Sequence, residues 1–296
     1  MPFLGEISAL ATAVLWSISS LIFSAAVARI GSVQVNFMRM VFAVIFLGIT
    51  LLVFQLPLAI SFHQFVLLTI SGCVGLTFGD TFLFKAFQYI GARITMLLMS
   101  LAPAISAVLA YFLLNETITS FALLGMIVTL SGIAMVVLDK KSDAEKNSFT
   151  FRGIVFGVLA AFGQAGGFVL AKIAFQESAM NTFFASFIRL SAAVIVLFPI
   201  MLLAKKIRNP ITMFAQDRHA LVLVSLGAVV GPCLGITLSL IAVANTEVGI
   251  AATLTATVPI MMLPLVVFIQ KEKLTWKTIA GAVLSVAGVA ILFLHK

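Results

Sequence analysis

Ten apolar runs fill the chain, each roughly 17–24 residues long, which is the helical length needed to cross about 30 Å of hydrocarbon. They cover residues 6–28, 33–54, 65–84, 94–114 and 118–138, then 153–171, 182–204, 220–243, 248–269 and 276–294. The breaks between them are short, with one exception. Asp139 to Arg152, DKKSDAEKNSFTFR, is the one long hydrophilic stretch. This pattern predicts an all-α membrane protein of ten transmembrane helices, divided as residues 4–138 (spans 1–5), a linker 139–152, and residues 153–294 (spans 6–10). Five spans is an odd number, so the second half enters the membrane from the opposite side, and the two halves are inverted five-helix repeats.

The halves match in detail. Leu101–Thr119, LAPAISAVLAYFLLNETIT, is echoed by Thr257–Thr275, TVPIMMLPLVVFIQKEKLT. One offset of 156 carries Pro103 to Pro259, Glu116 to Glu272 and Thr119 to Thr275. The same offset carries Gly75 to Gly231, Gly79 to Gly235, Ala86 to Ala242, Gly125 to Gly281 and Gly132 to Gly288. So many Gly, Pro and Glu coincidences at one offset mark a tandem repeat.

Composition excludes a water-soluble fold. The 296 residues are 62% hydrophobic and 9% charged, against about 45–50% and about 25% in soluble domains, and the mean hydropathy is +1.23. The net charge of +8 does not point to nucleic acid, because the bases lie between spans. Fourteen of the 18 Lys and Arg fall in loops 1–2, 3–4, 5–6, 7–8 and 9–10: Arg29; Lys85 and Arg93; Lys140, Lys141, Lys146 and Arg152; Lys205, Lys206, Arg208 and Arg218; Lys271, Lys273 and Lys277. The opposite face holds only Lys172 and Lys296. The positive-inside rule places the basic loops in the cytoplasm and both termini outside. The N-terminus does not read as a signal peptide, since Glu6 lies where a basic region belongs and no base precedes Arg29.

Enzyme signatures are missing: no GxSxG, HExxH or GxxxxGK[ST] motif occurs, and Cys73, Cys233 and the three histidines form no ligand cluster. Ser71, Gly75 and Gly79, with Gly163 and Gly167, read as ridges where helices approach closely. Pro103, Pro199, Pro232, Pro259 and Pro264 predict bends. Glu116 and Glu272 stand where a carboxylate would cap the start of spans 5 and 10.

Trp16, followed by Ser20, lies mid-span in span 1, and Gln164 has a matched depth in span 6. Either they line a ligand cavity on the repeat axis or they satisfy themselves inside the bundle. Ser100, Thr253 and Thr255 are the other candidates for substrate binding. Arg39 and Arg189 occupy matching places in spans 2 and 7, and Asp80 is the one acid deep within a span. Its repeat counterpart is Ile236, so the scaffold does not demand an acid there. Asp80 is expected either to pair permanently with Arg39 or to bind and release a proton as the coupling residue.

These residues resemble the drug/metabolite transporter superfamily, in its ten-span branch with two EamA domains. The resemblance rests on Pro103 leading to LLNET, its copy from Pro259 to QKEKL, Arg39 and Arg189, and FGDTFLFKAFQYIGA at residues 78–92. Asn115 stands where the family often has glycine. The resemblance implies a basket of ten helices around a cavity lined by spans 1, 3, 4, 6, 8 and 9, with no ATP, metal or other cofactor. It implies a monomeric secondary transporter of the cytoplasmic membrane, exporting small organic metabolites such as amino acids or nucleosides. A drug exporter, an uncoupled facilitator and, in a different class, an intramembrane enzyme are the alternatives.

Overall fold

A computed structural model describes residues 3–139, 150–270 and 275–294, and every regular element among them is a helix. The first half runs α1 (Leu4–Ile30), α2 (Ser32–Val53), α3 (Phe62–Gly72), a π-helical stretch Cys73–Gly79, α4 (Asp80–Met99), α5 (Ala102–Leu114) and α6 (Ser120–Asp139). The second half runs α7 (Phe151–Glu177), α8 (Thr182–Leu203), a short α9 (Pro210–Gln216), α10 (Arg218–Ala228), a π-helical stretch Val229–Gly235, α11 (Ile236–Asn245), α12 (Val248–Thr255), α13 (Val258–Gln270) and α14 (Trp276–Leu294). Among the described residues, seven helical runs are long and apolar enough to cross a membrane: Leu4–Ile30, Ser32–Val53, Phe62–Ile90, Phe151–Glu177, Thr182–Leu203, Arg218–Asn245 and Val248–Leu265. Three shorter apolar helices accompany them, Ala102–Leu114, Ser120–Met135 and Trp276–Leu292.

The offset of 156 holds in the backbone. It carries the first π stretch onto the second residue for residue, and it carries the break between α4 and α5 at Ser100–Leu101 onto that between α12 and α13 at Ala256–Thr257. Pro103 and Pro259 thus sit at the second residue of new helices, where a missing N–H costs nothing, rather than in mid-helix. Pro232 falls inside a π stretch, whose wider turn absorbs the lost hydrogen bond.

Three sequence expectations change. Residues 85–93 are not a loop: α4 runs straight through them, whereas its counterpart α11 ends at Asn245. Lys85 therefore sits on a helix face. Spans 4 and 9 are each broken rather than continuous. Glu116 does not cap the helix that follows it, because Thr119 does so by accepting from the Ala122 amide at 3.3 Å. The Glu116 carboxylate instead accepts from the Val248 amide at the start of α12, 2.9 Å away in the other half. Most of the linker 139–152, together with Glu272, Lys271 and Lys273, lies outside the described residues.

Local signals explain most helix starts. Ser61 and Gln64 form a reciprocal capping box at α3, and Asn181 caps α8. Asn209 followed by Pro210 starts α9. Asn115 ends α5 with φ 54° and ψ 27°; asparagine is the side chain that best tolerates the left-handed region, which is why it can stand in for glycine there.

Packing crosses between the halves. Helix α1 lies against α10, α11, α12 and α13, while α7 lies against α3, α4 and α5; α2 pairs with its counterpart α8, and α6 with α14. Glycines permit the closest of these approaches. A Cβ on Gly163 would stand 2.6 Å from the Gly79 Cα, and one on Gly167 would stand 2.9 Å from the Gly75 Cα. On the other side of the repeat, a Cβ on Gly235 would meet the Trp16 indole nitrogen at 2.6 Å. Trp16 thus fills against α11 and its π stretch the place that the Gly163 backbone fills against the first π stretch.

Candidate functional site

The deepest charges meet where α2, the first π stretch and α8 converge. Asp80 opens α4 directly after that stretch, and its carboxylate accepts from Arg39 Nη2 at 2.5 Å. Arg39 also donates from Nε and Nη2 to Asn36 Oδ1, at 3.1 and 3.0 Å, one turn earlier on the same helix. The Phe23 and Phe84 rings lie 5.4 and 4.8 Å from the guanidinium carbon, shielding the ion pair from lipid. Arg189, the repeat counterpart of Arg39, is 2% exposed. Its Nη2 reaches the seam between the glycine faces, 3.1 Å from where a Gly75 Cβ would be. Its Nε and Nη1 are buried with no hydrogen-bond partner among the described residues.

A cavity of about 360 Å³ opens at the basic end of the bundle, lined by Ser32, Gln34, Gln88, Lys205, Lys206 and Arg208 among others. A smaller one of about 40 Å³ shares Ser32 and Val33 with it and reaches Asn36, Thr81, Lys85 and Leu197. Inward from there, Asn36 holds Arg39 and Thr81 adjoins Asp80. The Lys85 ammonium lies 5.3 and 5.5 Å from the Phe82 and Phe156 ring centres. Contacts at this end join the two halves: Arg29 to Asp217 at 2.9 Å, and Gln34 Nε2 to the Lys206 carbonyl at 2.6 Å. Within the first half, Gln88 Nε2 donates to Ser32 Oγ at 2.5 Å. The Ala220 amide, with Arg29 beside it, holds the Asp217 carboxyl below the usual aspartate range.

The opposite end, where α1 begins, is closed by buried polar groups from both halves. Thr246 Oγ1 donates to Glu6 Oε1 at 3.1 Å, and Glu6 is 1% exposed. Lys172 Nζ donates to the Thr246 carbonyl at 2.9 Å and lies 4.0 Å from Glu116, which in turn holds the Val248 amide. Burial pushes the Glu116 carboxyl above the usual glutamate range, against the Val248 amide and Lys172, which pull it down. His63 pairs with Glu177 at the same end, where Gln64 Nε2 bonds the carbonyls of Ala174 and Ser178, both at 3.0 Å.

The residues singled out from sequence are spread over several interfaces. Trp16 seats against Gly235, while the Gln164 backbone lies against Gly79. Ser20 Oγ donates to the Ser17 carbonyl at 2.8 Å and touches the Met262 sulfur at 3.6 Å. Thr253 and Thr255 donate back into their own helix, to Gly249 and Ala252, and Ser100 is half-buried at the break before α5. Of that set, Arg39 and Asp80 form an ion pair. Sequence reading passed over Lys172, Glu6 and Thr246, which meet only in the folded chain, and Asn36, whose i−3 spacing from Arg39 was a visible signal. Among the described residues no three His, Cys, Asp or Glu side chains gather as metal ligands.

The profile of the EamA-like transporter family matches residues 3–138 and again 151–294. No curated protein matches the sequence. A crystal structure of another protein, 17% identical, superposes with a TM-score of 0.77 over 100% of this chain and 98% of that one, which is a likeness of fold.

Proposed function

The chain belongs to the EamA-like transporter family, and on that premise we propose that it is a ten-span secondary transporter exporting small organic metabolites, such as amino acids or nucleosides, from the cytoplasm. It is a multi-pass membrane protein of a transporter family. Ten spans follow if the three shorter apolar helices also cross. Threading the chain that way sends loops 2–3, 4–5, 6–7 and 8–9 to one side and the basic loops to the other. The contacts agree with this sorting: His63 meets Glu177 and Glu116 meets Val248 on one side, and Arg29 meets Asp217 on the other. An odd number of spans per half makes the second repeat inverted.

The observation that carries the reading is the difference between the two ends. Glu6, Thr246, Lys172 and Glu116 close the end bearing the N-terminus, while a cavity opens at the basic end. By the positive-inside rule the basic end is cytoplasmic, so this conformation receives substrate from the cytoplasm and releases it once the polar closure parts. Trp16, Ser20, Gln164, Ser100, Thr253 and Thr255 are the proposed substrate contacts along the way, and Asp80 with Arg39 the proposed coupling pair.

Two experiments test this. A Cβ on Gly5 would stand 2.9 Å from the Thr246 Cβ, close enough for a disulfide with a small adjustment. In a background with Cys73 and Cys233 changed to alanine, Gly5→Cys with Thr246→Cys should transport when reduced and lose at least about tenfold in counterflow when oxidised. The assay is counterflow of labelled amino acids or nucleosides in proteoliposomes. Full transport by the oxidised protein would refute the closure as a gate, and no flux of any of these compounds would refute the substrate class. Orientation is tested separately. Thr117→Cys should react with an impermeant maleimide in intact cells while Arg208→Cys is protected; the converse pattern would invert the topology.

A further inference from the structure

The geometry points to a carboxylate, or another small oxyanion, as the group on the substrate that this protein recognises, bound between Lys85 and Thr81 next to the Arg39–Asp80 pair. This rests on the transporter reading and narrows its substrate class.

Three observations converge. The first is charge. The half-buried Lys85 lines the small cavity with Ser32, Val33, Asn36, Thr81 and Leu197, none of them charged, and the neighbouring Asp80 is already paired with Arg39. A cation without a counter-charge is costly in a membrane interior. Topology explains bases in the loops, but it does not explain one facing this inner cavity.

The second is the kind of hydrogen bond left unmade. The buried Thr81 hydroxyl has no partner among the described residues, and the Lys85 ammonium stands over the Phe82 and Phe156 rings, which offer no hydrogen-bond acceptor. Ammonium N–H groups can only donate, and a hydroxyl can. The site therefore lacks acceptors, and an anion supplies acceptors and negative charge together. A neutral or cationic ligand would leave the excess charge standing.

The third is access. The small cavity at Thr81 and Lys85 shares Ser32 and Val33 with the larger one. Lys205, Lys206 and Arg208 line that outer cavity, so a solute passing inward meets cations first at the rim and then at Lys85. Such a gradient concentrates anions and repels cations.

The test is binding, which does not depend on flux. Purified protein is placed in nanodiscs of zwitterionic phosphatidylcholine, so that no anionic lipid headgroup competes. Its melting temperature is measured with benzoate against benzamide and with lactate against lactamide, at fixed ionic strength. Near tenfold saturation the acids should raise the melting temperature by about 2–4 °C and the amides should not. Lys85→Gln should abolish the difference, Thr81→Val should weaken it, and Lys277→Gln, at an exposed lysine that lines neither cavity, should keep it. If Lys85→Gln fails to fold, Thr81→Val decides. Equal shifts with acid and amide, no shift with either, or an acid shift that survives in Lys85→Gln would overturn the assignment. Adding phosphatidylglycerol separates the sources of the anion: if the lipid alone reproduces the stabilisation and lactate adds nothing, the site is a lipid headgroup site and the substrate assignment falls. Should carboxylates bind while no compound is moved, the anion site stands, and the transporter reading fails together with the site's role in substrate recognition.

Discussion

Asp80→Ala is expected to destabilise the protein by about 3–5 kcal/mol, the usual cost of stranding one partner of a buried ion pair. Without Asp80, Arg39 keeps its hydrogen bonds to Asn36 but loses its carboxylate partner. An uncompensated charge is then left between Phe23 and Phe84. Asp80→Asn is the gentler change, because its amide oxygen still accepts from Arg39. In proteoliposomes with an imposed pH gradient, Asp80→Asn should keep counterflow exchange and lose gradient-driven accumulation, the signature of a residue that carries the coupled proton. A different pattern would settle the matter the other way. If Asp80→Asn folds poorly, and Asp80→Asn with Arg39→Met restores both folding and gradient-driven uptake, then the pair is structural and Asp80 has no coupling role. Thermal melts in detergent and flux in liposomes, taken on the same three proteins, separate the outcomes.

Gly163→Ala is the second large effect expected, and it comes from one methyl group. The new Cβ would lie 2.6 Å from the Gly79 Cα and 2.9 Å from its nitrogen. These are backbone atoms of the packed π-helical stretch, so no side chain can rotate away, and α7 must move off that stretch. Overpacking of this kind costs about 1–3 kcal/mol and occasionally more. The cost should be at the high end here, because Gly167 meets Gly75 along the same ridge and a displaced helix gives up both contacts. Gly166→Ala is the internal control. Its Cβ would meet only the Val74 Cγ1, at 3.2 Å, and a valine methyl can give way by a few tenths of an ångström. A melting temperature for Gly163→Ala no lower than for Gly166→Ala would show that the two halves are not held together along this seam.

Much of this was legible in the chain. The repeat offset located two π stretches and two helix breaks at matched places, though it did not reveal what they were. The Ser71–Gly75–Gly79 and Gly163–Gly167 spacings marked a helix contact that the fold confirms. The Arg39–Asp80 pairing followed from two rare charges at similar depth, and apolar length gave α2, α8 and α14 nearly to the residue. What failed has a common cause. Glu116 was assigned to its neighbour α6 by local capping rules, whereas its partner Val248 lies 132 residues away. The closure by Glu6, Thr246 and Lys172 and the cavity at the basic end likewise depend on which helices meet, and hydropathy says nothing about that. Residues 85–93 were misread for a different reason. Their polarity, set by Lys85, Gln88 and Arg93, was taken as a loop signal, yet a half-buried lysine over two phenylalanine rings is compatible with continued helix.

The π stretch ahead of Asp80 also sets a phase. A π turn accommodates one residue more than an α turn, and each residue in an α-helix advances the next by about 100° and 1.5 Å. Were Cys73–Gly79 to wind as ordinary α-helix, everything after it would be indexed one step differently, and Asp80 would swing off Arg39 toward another neighbour. The second half carries the same offset at Val229–Gly235, where the residue so indexed is Ile236 and no charge is moved. The extra residue thus acts as a vernier: the two halves share one ruler, and only the first reads it out in charge.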